Sequence, residues 1–264
     1  MDYLFDHIET MLDRIGRVER VFFLLDYDGT LTDIVPHPDQ AYLSEEMKAT
    51  LAVLRKIPKI SVAIVSGRSL RDIRDRVGLR GIYYVGNHGL EIFEPKSGTK
   101  QLLPKEMVKG LEQICARLSC EFKGMEGILL EDKKCTLAVH YRNADSRWIP
   151  SILFALEQQI KTSMIPLQLC FGKKVFEIRP KSRMNKGTAV SFLLSKAKRK
   201  GMLPIYIGDD RTDEDAFRVL KRKGITISVG ESDPVNSSAQ YYVGDPSEVF
   251  QFLRGIERDL CQGP

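Results

Sequence analysis

The chain has 264 residues, 43% of them hydrophobic, and a net charge of +5 from 40 basic and 35 acidic side chains. That apolar content suffices for a core in one large domain or two unequal ones. The mild positive excess suits an anionic small molecule and falls short of the basic asymmetry of a nucleic-acid binder. No run reaches the roughly 18 to 20 apolar residues that cross a bilayer, so no membrane partner is expected. The charged segment Met1–Arg20 lacks the apolar stretch of a signal peptide. The five cysteines are scattered, without C-x-x-C spacing, which disfavours a disulfide framework or a zinc site and favours a reducing, cytoplasmic compartment.

In chain order, the apolar run Val21–Leu25 reads as a buried strand and ends at Asp26-Tyr27-Asp28-Gly29-Thr30, two carboxylates followed by a glycine turn. Ser44–Lys56 follows as a helix with Ser44 at its N-cap. Ile60–Val65 is a second strand, closed by Ser66-Gly67-Arg68 and a helix over Ser69–Val77, and Ile82–Val85 is a third, followed by Asn87 and His88. Between about Pro104 and Pro180 the rhythm changes. Helix Lys105–Leu118 precedes strands Gly127–Glu131 and Thr136–Tyr141, and helix Ser146–Lys161 precedes Leu167–Phe171 and Val175–Ile178. Helix, hairpin, helix, hairpin predicts an antiparallel sheet backed on one face by two helices. The first rhythm resumes at Asn185-Lys186-Gly187, with strands Pro204–Ile207 and Ile225–Val229. The expected fold is α/β: a doubly wound parallel-sheet (Rossmann-like) core in residues 1–103 and 182–264, with a smaller α+β cap inserted as residues 104–181.

Four elements of the parallel part each end a strand or begin a helix: Asp26-x-Asp28-Gly29, Ser66-Gly67-Arg68, Lys186, and Gly208-Asp209-Asp210 with Asp213 beyond it. Phosphoryl transfer needs an in-line nucleophile, cations to neutralise phosphoryl oxygens, and donors to hold them. Asp26, ionised at neutral pH, suits the nucleophile, because an acyl phosphate divides one hard hydrolysis into two easier steps. Mg2+, which prefers oxygen ligands, is expected between Asp26, Asp209 and the backbone carbonyl of Asp28. That leaves the Asp28 side chain to protonate the leaving oxygen and then to deprotonate water. Ser66, with Gly67 and Arg68, and Lys186 become the phosphate holders, and Lys186 also keeps Asp26 ionised. Asp210 and Asp213 are placed to hold the metal's waters.

These elements resemble the haloacid dehalogenase superfamily. Within it, Asp26-Tyr27-Asp28-Gly29-Thr30-Leu31, Gly86-Asn87-His88-Gly89-Leu90-Glu91, Glu177-Ile178-Arg179-Pro180 and Tyr206-Ile207-Gly208-Asp209-Asp210-x-Thr212-Asp213-Glu214-Asp215 resemble the trehalose-6-phosphate phosphatases. The resemblance implies Mg2+-dependent hydrolysis of trehalose 6-phosphate through an aspartyl phosphate, with the cap closing over the sugar. It places sugar contacts at Glu131, Lys133, Arg142, Lys174 and Glu177, where carboxylates accept from sugar hydroxyls and the cations bind hydroxyls or reach the phosphate. A sugar-phosphate ligand and a monomer are expected. Phosphatases of sucrose 6-phosphate or of a glycosyl-phosphoglycerate share several of these motifs, and a sugar-phosphate mutase or a non-catalytic binding module are further alternatives.

Blander readings compete residue by residue. Asp-x-Asp-Gly alone is often a solvated turn, whereas a calcium loop fails because Thr30, Leu31 and His37 occupy its ligand positions. Ser66 also suits a helix N-cap, Lys186 an exposed helix start, and Asp210 and Asp213 the acidic first turn of a helix. Asn87 and His88, after the third parallel strand and facing the same edge, are candidate substrate-binding residues but read equally as a capping asparagine and a surface histidine, and the basic runs Lys196–Lys200 and Lys221–Lys223 read as solvated helix ends.

Overall fold

The structure is a computed structural model that describes residues 1–172, 174–197, 201–230 and 237–261. Contacts divide the chain into two compact units, residues 1–100 with 184–264, and residues 101–183. Of the basic run Lys196–Lys200, residues 198–200 lie outside the described residues.

The larger unit is built on a nine-stranded sheet ordered β1-β13-β12-β11-β2-β3-β4-β5-β6. Its strands are β1 (Asp2–Tyr3), β2 (Arg20–Leu25), β3 (Ile60–Val65), β4 (Tyr83–Gly86), β5 (Glu91–Glu94), β6 (Gly98–Gln101), β11 (Met202–Gly208), β12 (Ile225–Val229) and β13 (Tyr241–Val243). From β1 to β4 every pairing is parallel. β5 turns back antiparallel on β4, an edge the apolar periodicity did not announce. β2 lies in the middle, paired with β11 and β3, and Val21 to Leu25 are all buried, the unbroken apolar run of a strand covered on both faces. Phe23 and Leu25 join one core cluster with Leu51 and Leu54 of helix α2 (Glu45–Leu54), Ile73 of α3 (Leu70–Val77) and Phe252 of α8 (Pro246–Cys261). Tyr206 instead meets Phe217 of α7 (Glu214–Leu220), their rings edge to face at 5.7 Å.

Ser44 caps α2 as expected, its hydroxyl accepting from the Met47 N–H. The cap of α3 is Ser69, which accepts from the Asp72 N–H, so Ser66 is not a helix cap. Among the described residues no helix is long and apolar enough to cross a membrane.

The smaller unit is a four-stranded antiparallel sheet ordered β7-β8-β10-β9, with β7 Leu129–Asp132, β8 Leu137–His140, β9 Leu167–Gly172 and β10 Val175–Pro180. Helices α4 (Lys105–Glu121) and α5 (Ile149–Lys161) bury Leu111, Ile114, Leu118, Ile152 and Leu156 against Leu137, Val139, Phe176 and Ile178. Strand alternation therefore turns Glu131, Ala138, His140 and Glu177 to the opposite face of the sheet.

Candidate active site

Parallel pairing of β2 with β11 sets Leu24 beside Tyr206 and Leu25 beside Ile207, so the residues that follow, Asp26 and Asp209, leave adjacent strand ends. The Asp26 N–H donates to the Ile207 carbonyl at 2.9 Å and fixes that register. This carboxyl edge is where an open α/β sheet places its ligands. The turn beyond it is closed by the Tyr27 carbonyl, which accepts from the N–H groups of Thr30, Leu31 and Thr32. Gly29 there has φ +80°, and a Cβ on it would lie 2.1 Å from Asp209 Oδ2. Only glycine lets the turn and the second carboxylate come this close. The Thr30 hydroxyl donates to Asp209 Oδ1 at 2.9 Å and orients it.

Lys186 opens helix α6 (Lys186–Ala197) and is 2% exposed. Its Nζ stands 2.7 Å from Asp26 Oδ2 and 2.7 Å from Asp213 Oδ1. Asp213 Oδ1 also accepts from the Tyr206 hydroxyl at 2.6 Å, and Asp213 Oδ2 from the Asp210 N–H at 2.9 Å. Carboxylate oxygens of Asp26, Asp209 and Asp213 all lie within 4.8 Å of one another.

The charges in this group are unbalanced. Burial and then the charge of Asp213 push the Asp26 carboxyl well above the ordinary range, against the pull of Lys186. Burial pushes Asp209 up to about 6, with Thr30 opposing and Asp213 adding to the rise. Burial alone would lower Lys186, but Asp213 and Asp26 hold it firmly protonated. Three acids around one ammonium are what a further hard cation relieves, and their all-oxygen character matches Mg2+ rather than a softer metal.

Asp210 stands apart from this group. It is exposed and accepts from the Arg211 N–H and the Thr212 hydroxyl at the start of a short 3-10 turn. Asp213 is fully buried, so the solvated first-turn reading of Asp213 fails because both its oxygens hold the interior together. Ser66 is buried at the end of β3 and accepts from the Arg68 N–H at 3.1 Å. Asn87 and His88 follow β4 with left-handed φ of 49° and 54°. Asn87 is buried, not a surface cap, and its side-chain amide donates to Glu91 Oε2 at 2.7 Å. The His88 ring packs over Gly67, where a Cβ would lie 2.4 Å from it. The Asp28 carboxylate is paired with Arg68.

In the smaller unit, register places Glu131 and Glu177 on either side of Ala138. Glu177 is buried, accepting from Thr136 at 2.9 Å and Arg179 Nε at 2.8 Å, with Lys133 Nζ at 3.6 Å. Glu131 meets His140 at 2.9 Å. Arg142 and Lys174 are exposed at one end of the sheet, where the Tyr141 N–H donates to the Lys174 carbonyl. His140, Thr136 and Arg179 were not foreseen. Their signal was the polar side chains left on one face once Leu137, Val139, Phe176 and Ile178 are assigned to the other.

The trehalose-phosphatase family model matches residues 24–247. The chain belongs to the trehalose-phosphatase family. It is 38% identical over 249 residues to a probable trehalose-phosphate phosphatase of Oryza sativa subsp. japonica, covering 90% of this chain and 66% of that one. The chain spans about two thirds of the length of the curated relatives it matches. Among solved structures, the C-terminal domain of C. albicans trehalose-6-phosphate phosphatase superposes with a TM-score of 0.75 at 24% identity, over 95% of this chain and 96% of that one. A haloacid dehalogenase-like hydrolase from Bacteroides thetaiotaomicron superposes with a TM-score of 0.62 at 19% identity, over 90% and 99% of the two chains. The chain thus shares its fold with a haloacid dehalogenase-like hydrolase, and its family is one of phosphatases.

Proposed function

We propose that this chain hydrolyses trehalose 6-phosphate to trehalose and inorganic phosphate with Mg2+. The observation that carries the reading is the group of Asp26, Asp209 and Asp213 beside the buried Lys186, at the carboxyl edge of the sheet of a trehalose-phosphatase family member.

Asp26, Asp209 and the Asp28 carbonyl would hold the metal, whose charge neutralises phosphoryl oxygens and the surplus of carboxylates. Lys186 fixes the Asp26 carboxylate by engaging its Oδ2 at 2.7 Å. The other carboxylate oxygen attacks phosphorus, forming an aspartyl phosphate as the ester bond breaks and the leaving oxygen takes a proton from Asp28. Water, giving its proton to Asp28, then cleaves the acyl phosphate and restores Asp26. Ser66, with the amides that follow it, and Lys186 hold phosphoryl oxygens. Asp213 has its oxygens engaged by Lys186, Tyr206 and the Asp210 amide, so it orients the lysine rather than receiving the substrate. Asp210, on the solvent side, has the metal's waters as its remaining role.

Glu131, Lys133, Arg142, Lys174 and Glu177 of the smaller unit recognise the sugar in this reading, since carboxylates that accept from hydroxyls and cations that donate to them match a polyhydroxylated ligand. Five cysteines scattered without C-x-x-C spacing support a reducing, cytoplasmic setting in this reading. A phosphate-release screen over a panel of sugar phosphates, with and without Mg2+, tests the substrate. The expected result is fastest release from trehalose 6-phosphate and none after chelation. Equal rates for sucrose 6-phosphate or other sugar phosphates would remove the substrate assignment, and an isomerised sugar phosphate in place of free phosphate would make the protein a mutase.

A further inference from the structure

The Ser66-Gly67-Arg68 turn suggests a substrate-binding arginine, and the geometry gives that side chain other work. Arg68 Nε donates to Asp28 Oδ2 at 2.7 Å and Nη2 to Asp28 Oδ1 at 2.5 Å, a two-point pairing with both carboxylate oxygens. The third nitrogen, Nη1, donates to Asp72 Oδ2 at 2.9 Å. Every guanidinium nitrogen thus faces a carboxylate oxygen.

The support continues behind it. The Arg68 side chain is 10% exposed, against 44% for Asp28. Its guanidinium carbon stands 5.5 Å from the centre of the Tyr27 ring, which is buried and anchored by its hydroxyl to the Ala41 carbonyl at 3.0 Å. Asp72, in the first turn of α3, is gripped from the far side by Arg76 Nε at 2.8 and 3.0 Å, and Arg76 Nη1 donates to the Ala41 carbonyl at 3.2 Å. The chain Asp28–Arg68–Asp72–Arg76 therefore closes on the same carbonyl that holds Tyr27, the residue before Asp28. Asp28 lies on a glycine turn and is the most exposed member of the series; without this brace nothing described holds its carboxylate in one orientation.

We propose that Arg68 is a positioning residue for Asp28, aimed by Asp72 on α3: Asp28 starts the cycle as the acid, passes its proton to the leaving oxygen, and the two-point pairing holds and stabilises the carboxylate that forms as the proton leaves, so that Arg68 acts through Asp28 rather than by touching sugar or phosphate. The assignment rests on Asp28 being the acid and base of the phosphatase reaction proposed above. A planar, two-point pairing is something an arginine provides and a lysine does not, which explains a buried guanidinium beside a half-exposed carboxylate.

Protonation of the leaving oxygen matters for an alkyl ester and hardly at all for p-nitrophenyl phosphate, whose leaving group departs as an anion. The ratio kcat/KM reports steps up to formation of the aspartyl phosphate, so it isolates that proton. The test compares ethyl phosphate, which carries no sugar, with p-nitrophenyl phosphate on the full chain with Mg2+. Arg68→Gln and Arg68→Lys should lower kcat/KM for ethyl phosphate at least tenfold more than for p-nitrophenyl phosphate. Asp72→Asn should show the same selectivity more weakly; it keeps the backbone N–H that Ser69 caps at 3.2 Å, so it serves even if the arginine variants unfold. In an Asp28→Asn background, Arg68→Gln should cost less than about threefold on ethyl phosphate, because its target is gone. Equal losses on both esters, or full additivity with Asp28→Asn, would show a direct substrate contact and overturn the assignment alone. Wild-type protein inert toward every ester would instead overturn the phosphatase reading, and this assignment with it.

Discussion

Lys186 Nζ lies 2.7 Å from Asp26 Oδ2 with both side chains almost completely buried. The same ammonium reaches Asp213, so removing it leaves two carboxylates facing each other without a counter-charge. Lys186→Met should therefore abolish turnover and lower stability by about 3 kcal/mol, the cost of breaking a buried ion pair from one side. Thermal unfolding and phosphate release on one preparation check both effects. A variant as stable as wild type would mean that the lysine is not what holds these acids together.

Asp26→Asn is expected to behave differently. It removes the attacking oxygen, so turnover should fall by about three orders of magnitude or more, and no acid-stable phosphoenzyme should be trapped. It also removes one of three crowded carboxylates, whose charge burial and Asp213 oppose. Without metal, its melting temperature should be no lower than that of wild type.

Asp209 supplies a pH signature. Its folded-state value of about 6 lies above the model-compound value of 3.8, so the folded protein binds more protons here than the unfolded chain. Stability linked to this group is complete below about pH 4 and is lost as pH rises to about 6, about 3 kcal/mol in total. Metal-free wild type should lose stability across that window relative to Asp209→Asn. Mg2+ should restore it near neutral pH for wild type and not for the variant. Denaturant titrations at three pH values, with and without the ion, check the sign.

Gly29→Ala tests the approach of the turn to the second carboxylate. The added methyl would meet Asp209 Oδ2 at 2.1 Å, in a backbone region that costs an alanine about 1 kcal/mol. Asp209 must move, so the Mg2+ concentration giving half-maximal activity should rise at least tenfold while the fold persists. Activity titrated against Mg2+, with circular dichroism as control, reads this directly.

On the smaller sheet, Glu131→Ala and Glu177→Ala should lower kcat/KM for trehalose 6-phosphate by about 10- to 100-fold, with much smaller losses on p-nitrophenyl phosphate. Glu177→Ala should also destabilise the protein, because Thr136, Lys133 and Arg179 all converge on that buried carboxylate. Glu131, half-buried and meeting His140 at 2.9 Å, should cost less.

What could be read before folding follows from how local each signal is. Strands β3 and β12 match the runs read from the sequence residue for residue, because a strand buried on both faces is dominated by Ile and Val even where Ser61, Thr226 and Ser228 interrupt it. Asp26 and Asp209 were legible because each ends such a run. β5 and β6 were not, since Glu91–Glu94 and Gly98–Gln101 carry few apolar residues and gain their form by pairing at a sheet edge. Tyr206 was visible only as part of a motif. A hydroxyl in an otherwise apolar buried strand requires a partner, but that the partner is Asp213, which also holds Lys186, depends on how β11 and α6 pack. Arg68 depends on packing in the same way: its sequence neighbours suggest a ligand, and its guanidinium pairs with Asp28, 40 positions earlier.

Thr30 and Asp209 touch across 179 positions of chain. Neither half of the reactive centre can therefore be assembled by a local stretch of polypeptide, and loop closure over that span must precede any chemistry. A ribosome would release Asp26 long before Asp209 is made. During synthesis the molecule passes through a long catalytically silent period, and it becomes an enzyme only when β11 slides into place beside β2.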